Sequence, residues 1–200
     1  MPETIILADG DFPSHPLALE WLRQCPYVVC CDGAANTYIR SGRMPEAIVG
    51  DGDSLLPDIK ERYASLIHSE TEQETNDLSK AFRFCLSQER KRITIMGATG
   101  KREDHTIGNV SLLADYMEQA EVSMMTDYGI FVPIREDSMF ESYIGQQISV
   151  FNMNSTALSA EGLAYPLSVF TNWWQGTLNE ALAKHFIIRT EGKVLVFRTF

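Results

Sequence analysis

Up to residue 126 the chain alternates short apolar runs with segments of helical periodicity, and this alternation constrains the fold more than any other feature. Runs at 4–8 (TIILA), 27–31 (YVVCC), 46–49, 66–68, 92–96 and 121–126 read as strands. Helical patterns lie between them at 16–24, 34–41, 57–64, 76–89 and 105–119. The pattern at 76–89 is the clearest: Leu78, Ala81, Phe82, Cys85 and Leu86 recur at i, i+3, i+4, i+7 and i+8 and make one apolar stripe. Ile107, Val110, Ala114 and Met117 predict the inner side of the helix at 105–119. Strands that are apolar throughout, separated by helices, predict a mostly parallel sheet covered on both faces.

Beyond residue 127 the pattern changes to short strand-like runs at 130–134, 147–151, 185–190 and 193–198, separated by polar turns. Glu191-Gly192 between the last two reads as a two-residue hairpin turn. Trp173 and Trp174 are expected on a strand, facing opposite ways, and "NEALAK" could add a turn or two of helix. The expected organisation is an α/β domain over 1–126 and an antiparallel β domain over 127–200. The second is small to stand alone and is expected to lean on the first domain or on a second subunit.

In an open parallel sheet, ligands bind beyond the carboxyl ends of the strands. Here those ends carry Asp9-Gly10-Asp11, Asp32-Gly33, Gly50-Asp51-Gly52-Asp53-Ser54 and Gly97-Ala98-Thr99-Gly100-Lys101-Arg102. Neighbouring strands would collect Asp32, Asp51, Asp53, Lys101 and Arg102 on one rim. In extended backbone Asp51 and Asp53 point the same way, roughly 7 Å apart at Cα. The residues alone leave two readings open, a polar turn or a seat for a divalent cation. Carboxylates without His or Cys favour Mg²⁺ over zinc.

Asp77, in the first turn of the best helix, has an equally open pair of readings: complement to the helix dipole, or a member of the acidic cluster. Thr75 or Asn76 can cap that helix. Lys80 opposes the dipole, and an anionic ligand at the helix end would explain it. The stretch "GATGKREDHTIGN" joins glycines and two cations to a helix start, a combination suited to phosphate oxygens, although it is not a Walker A loop. His105 in it reads as an acid/base or, more commonly for such a residue, as a helix cap or core contact. One of the two tryptophans packs at an interface or stacks on a flat cationic ligand.

Charge and composition narrow the classes. A net charge of −10 repels polyanions and argues against a nucleic-acid binder. No run approaches the ~20 apolar residues of a membrane span. The N-terminus lacks the basic start of a signal peptide, and Cys25, Cys30, Cys31 and Cys85 include no C-x-x-C pair. The expectation is a cytoplasmic protein with buried free thiols.

With these residues in view, the chain resembles the thiamin pyrophosphokinase family. "PEAIVGDGDSL" is similar to the family's P-d-x-i-x-G-D-x-D-S, "QETNDLSKA" to its Q-x-x-x-D-x-x-K-A, and "GATGKREDHTIGN" to its G-x-x-G-x-R-x-D-H-x-x-x-N. "CDGAAN" resembles its D-G-G-A-N, and "EGLAYPL" its G-L-x-Y-x-L. The resemblance implies an N-terminal Rossmann-like three-layer domain, a C-terminal antiparallel β-sandwich that binds thiamin and dimerises, and a homodimer. It also implies Mg²⁺-dependent transfer of pyrophosphate from ATP to the thiamin hydroxyl, giving thiamin diphosphate and AMP. Carried over by position, Asp51, Asp53 and Asp77 would be the metal ligands and, with Lys80 and Arg102, the catalytic group. Asp32, Gln73, Thr99, Asp104 and His105 would contact nucleotide or substrate, and Asn179 and Trp174 the thiamin. Two other readings stand beside this one: another Mg²⁺-dependent nucleotidyl or glycosyl transferase seated on Asp-Gly-Asp, and a non-catalytic sensor of nucleotide or thiamin. The chain departs from the family pattern at Gly52, where an apolar residue is usual, at Ala34 and Lys101 in place of glycines, and at Leu178 in place of a serine.

Overall fold

The computed structural model describes residues 1–200, which divide into two compact units. Met1–Leu112 and Gln119–Asp127 form the first, and Leu113–Glu118 with Tyr128–Phe200 the second.

The sheet of the first unit contains β1 (Thr4–Leu7), β2 (Val28–Cys31), β3 (Ala47–Gly50), β4 (Ile67–Ser69), β5 (Arg92–Met96) and β6 (Glu121–Met125). Every pairing is parallel, in the order β6-β5-β1-β2-β3-β4. β1, β2 and β3 are buried along their whole length, as strands covered on both faces must be. The helices are α1 (Pro16–Gln24), α2 (Ala34–Arg40), α3 (Pro57–Arg62), α4 (Asp77–Ser87) and α5 (Glu103–Tyr116). The chain runs outward from β1 to β4 and then returns to place β5 on the other side of β1. The loops after β1 and β5 therefore flank the point where strand order reverses, which is where such sheets open a crevice.

α4 buries Leu78, Ala81, Phe82 and Cys85, with Leu86 half-buried, and packs on β2 and β3 as its stripe predicts. Asn76 is its N-cap, accepting from the Ser79 N–H at 2.9 Å. α5 departs from expectation: Leu113 and Tyr116 are its buried residues, while Ile107 is exposed. Its first turn is a rim of exposed polar residues rather than the start of an amphipathic stripe. No helix is long and apolar enough to cross a membrane. The four cysteines are free thiols, with Cys25 half-buried and the others buried.

The second unit is two antiparallel sheets. One has the order β11 (Asn179–Glu180), β9 (Gln147–Asn152), β13 (Val194–Thr199), β7 (Gly129–Ile134). The other is β10 (Ala157–Glu161), β12 (His185–Glu191), β8 (Ser138–Glu141). Ile148, Val150, Val194 and Val196 from the first sheet meet Phe140, Leu158, Phe186 and Ile188 from the second in one core, with the Phe140 and Phe186 rings stacked at 5.1 Å.

Three local expectations fail in this unit. Glu191-Gly192 does not close a hairpin: β12 pairs with β10 and β8, whereas β13 pairs with β7 and β9. Both edges of each strand are taken, and the turn carries the chain from one sheet to the other. Lys193 N–H donates to Asn154 Oδ1 at 2.6 Å and pins the crossing. Trp173 and Trp174 lie on a 3₁₀ turn, Trp173–Gly176, not on a strand. Its Asn172 and Gln175 cap one another's backbone in a reciprocal box. "NEALAK" opens with the two residues of β11 instead of a helix.

Candidate active site

A cavity of ≈ 480 Å³ opens at the carboxyl ends of the parallel strands, lined wholly by residues of the first unit. Asp32 follows β2 and is almost fully buried, with a left-handed backbone at φ 30°. Its Oδ2 accepts from the Ser54 N–H at 3.0 Å, and its Oδ1 is buried without a hydrogen-bond partner. Burial pushes its pKa up to about 6; the Ser54 N–H opposes that rise, and the Asp77 charge, the close Asp53 carboxyl and the Asp51 charge add to it.

Asp51 and Asp53 come from the loop after β3. Asp51 Oδ1 accepts from the Asp53 N–H at 3.1 Å, and this bond, the largest cause, holds the Asp51 pKa below its usual range. Ser54 Oγ donates to Asp53 Oδ1 at 2.9 Å. Gly52, between the two acids, has φ 76°, a left-handed conformation that disfavours the apolar side chain usual in the family. Its carbonyl accepts from Lys60 Nζ at 2.8 Å.

One oxygen from each of Asp32, Asp51 and Asp53 lies within 4.8 Å of the others. Three carboxylates so close repel one another unless a cation or a proton sits between them. An all-oxygen set that includes an unpartnered buried oxygen suits a hard divalent cation such as Mg²⁺. The cluster thus joins Asp32 to the Asp51–Asp53 pair. Asp77, expected in that ligand set, lines the same cavity, and its Oδ1 accepts from Lys80 Nζ at 3.0 Å.

Lys80 is 3% exposed. Burial pulls its pKa down, but the hydrogen bond and charge of Asp77, with Asp51 and Glu72 behind, raise it above the usual lysine range. The ammonium that seemed to oppose the helix dipole is therefore matched by a carboxylate one turn away. Gln73 reaches Asp51 Oδ2 only at 3.5 Å.

Arg102 and Asp104 form an exposed two-bond pair, Nε to Oδ1 at 3.1 Å and Nη2 to Oδ2 at 2.6 Å. Arg102 and His105 line the cavity, whereas Asp104 and Thr99 do not. His105 is exposed, so the core-contact reading of it is wrong. The Thr99 carbonyl is taken by the Asp11 N–H at 2.8 Å. Lys101, in place of a glycine, has φ 55° and pairs with Asp9 at 3.1 Å.

The cavity also uses residues that were not assigned to it from sequence. Asn109 donates to the Ala98 carbonyl at 2.8 Å and accepts from Asn76 at 3.1 Å, tying the α5 and α4 starts to the β5 loop. The signal was present, since Asn109 ends the motif that begins at Gly97.

Asn179 and Trp174 belong to the second unit. Asn179 is buried, and its amide binds both the Tyr165 N–H (3.1 Å) and the Tyr165 carbonyl (2.8 Å). Trp174 is 73% exposed. Leu178 before Asn179 is exposed and has φ 61°.

This arrangement of strands and loops has relatives. The family profile described as "Thiamin pyrophosphokinase, catalytic domain" matches residues 18–125, and "Thiamin pyrophosphokinase, substrate-binding domain" matches 129–197. Thiamine pyrophosphokinase 1 of Oryza sativa is 30% identical over 129 residues, covering 52% of this chain and 49% of that protein. Thiamine pyrophosphokinase of Bacillus subtilis is 33% identical over 86 residues, covering 41% of this chain and 40% of that protein. The chain thus matches the curated relatives over about half their length or less. The crystal structure of thiamin pyrophosphokinase from Geobacillus thermodenitrificans superposes with a TM-score of 0.80 at 21% identity, over 98% of this chain and 97% of that one. The yeast thiamin pyrophosphokinase structure gives 0.80 at 17% identity, over 100% and 87%. These two likenesses establish the fold, and the catalytic-domain profile alone covers more than half of the sequence. The chain belongs to the thiamin pyrophosphokinase family.

Proposed function

We propose that the protein is a thiamin diphosphokinase, transferring a pyrophosphoryl group from ATP to the hydroxyl of thiamin to give thiamin diphosphate and AMP. The observation that carries this reading is the clustering of Asp32, Asp51 and Asp53 around an unpartnered buried oxygen, in a cavity that also holds Lys80 and Arg102. Acids that seat a cation beside fixed positive side chains suit a triphosphate far better than a neutral ligand.

Asp32, Asp51 and Asp53 would hold Mg²⁺, which supplies charge neutralisation on the phosphoryl oxygens when bound. Arg102 and the free N–H groups at the start of α5 receive phosphate oxygens. The thiamin hydroxyl oxygen forms a bond to the β-phosphorus while the bond to the bridging α–β oxygen breaks, and AMP departs with that oxygen. Lys80 holds Asp77 Oδ1 and fixes the carboxylate, leaving Oδ2 to take the hydroxyl proton. Trp174 stands at the thiamin end, and Asn179 serves that end by holding the Tyr165 backbone. Exposed Trp173, Trp174, Leu178 and Leu182 on the second unit support assembly as a homodimer. The protein acts in the cytoplasm.

Incubation with ATP and Mg²⁺, with and without thiamin, tests the reaction. Thiamin-dependent AMP with matching thiamin diphosphate is expected. Release of ADP, or tight binding of both substrates without AMP, overturns it. Asp77→Asn with near-normal turnover would remove the proton-acceptor role.

A further inference from the structure

Asn36, in the first turn of α2, faces the loop that follows β3. Its Nδ2 donates to the Ser54 carbonyl at 2.8 Å, and its Oδ1 accepts from the Leu56 N–H at 3.0 Å. One amide therefore brackets Ser54 and Leu56, the outgoing limb of the loop that carries Asp51 and Asp53. Ser54 is in turn the hub of the acidic cluster: its N–H holds Asp32 Oδ2 and its hydroxyl holds Asp53 Oδ1. With Oδ2 held, Asp32 Oδ1 is left as the unpartnered atom. α2 comes this close to the loop because residue 33 is glycine; a Cβ there would stand 3.1 Å from the Ser54 Cβ and 2.7 Å from Asp9 Oδ2.

We infer that Asn36 is a positioning residue that sets Asp32 and Asp53 for cation binding by fixing the Ser54 peptide. Asn36 is absent from the cavity wall, so its effect runs through Ser54 and not through contact with substrate. The inference rests on the reading of Asp32, Asp51 and Asp53 as a cation seat, and the test separates the two.

Free Mn²⁺ is titrated by electron paramagnetic resonance against the full chain without nucleotide, for the parent, Asn36→Ala and Asp51→Asn, with near-ultraviolet circular dichroism as the check on folding. Asn36→Ala is expected to raise the Mn²⁺ dissociation constant about tenfold, the effect of losing one to two hydrogen bonds' worth of pre-organisation. The Mg²⁺ concentration giving half-maximal AMP release should rise by a similar factor, with kcat at saturating Mg²⁺ largely kept. A purely structural role would lower thermal stability without moving that half-saturation point. Should Asn36→Ala fold poorly, Asn36→Ser, which also cannot span both partners, serves the same measurement. A folded Asn36 variant that binds Mn²⁺ as the parent does, while Asp51→Asn does not, overturns the positioning role and leaves the seat standing. Unchanged Mn²⁺ binding by Asp51→Asn as well removes the seat and the inference with it.

Discussion

The loop rim of the parallel sheet and the 172–180 segment of the second unit both carry family motifs, yet they use their polar side chains in opposite ways. On the rim, side chains hold one another and leave capacity spare: Asp32 keeps an unpartnered oxygen, and Asp77 keeps one oxygen clear of Lys80. In the second unit Asn179 turns its amide to backbone, on Tyr165 twice and on the Glu180 N–H at 2.9 Å. Residues poised for a ligand are strained or under-satisfied in its absence, whereas residues that build a fold are satisfied within it. A motif match alone does not distinguish these two conditions.

The sharpest way to break this comparison is to neutralise one member of the rim. If Asp51 holds the proposed cation, Asp51→Asn is expected to lower AMP release by roughly 100-fold or more, with the thermal midpoint little changed. A large loss of stability with modest loss of turnover would put Asp51 in the structural class instead. Asn179→Ala should do the reverse. It empties a buried position and removes the amide's bonds to the backbone of residues 165 and 180, and is expected to destabilise by about 2–3 kcal/mol in urea unfolding. Unchanged stability with a raised KM for thiamin would move Asn179 to the ligand side.

Asp32 offers a test by pH. Its folded pKa, about 6, lies above the ordinary 3.8, so the folded state keeps a proton that the unfolded chain has already lost. Asp32 therefore lowers stability as pH rises through that window, and the penalty is complete above it. Asp32→Asn removes the titration and is expected to be more stable than the parent by about 1–2 kcal/mol at pH 7, the two converging below pH ~4. Saturating Mg²⁺ should close the gap at pH 7 by stabilising the parent alone. A variant less stable than the parent at pH 7 would show that the Ser54 contact outweighs the burial of charge.

Much of the first unit was legible because its rules are local. Apolar runs such as TIILA and VVCC, alternating with helical patterns, read as buried strands of a parallel sheet, and the Leu78–Cys85 stripe follows from helical periodicity. The D-x-D spacing marked Asp51 and Asp53 as a pair, but the bend at Gly52, not the expected extended backbone, brings them together. What stayed hidden depends on contacts distant in sequence. Glu191-Gly192 has hairpin composition, and only the capture of β12 by β10 and β8 turns it into a crossing between sheets. Likewise, Asp32 joins the acidic cluster because Ser54, 22 residues on, folds back to it. Leu113 and Tyr116, not Ile107, are buried in α5 because its first turn lines the site. Asn36 closes the "CDGAAN" motif, but only the fold shows that its amide reaches residues 54 and 56.

The smallest effect concerns two positions where this chain departs from its family and where backbone conformation decides the outcome. Gly52 on the rim and Leu178 in the second unit share left-handed φ values of 76° and 61°, but one is glycine and the other a branched apolar residue. For an L side chain this conformation costs roughly 1–2 kcal/mol, offset in part because glycine loses more freedom on folding. A Cβ at residue 52 would also stand 3.3 Å from Lys60 Nζ, the group that holds the Gly52 carbonyl. Gly52→Ala should therefore destabilise by about 1 kcal/mol, and Leu178→Gly should stabilise by about 0.5 kcal/mol, since an exposed side chain gives up little burial. Opposite signs in parallel urea titrations would mean that the rim has met its backbone requirement and that position 178 has left its own unmet. A stability loss in Leu178→Gly would show instead that the leucine side chain is covered in solution, which an exposed strained residue awaiting a second subunit would produce.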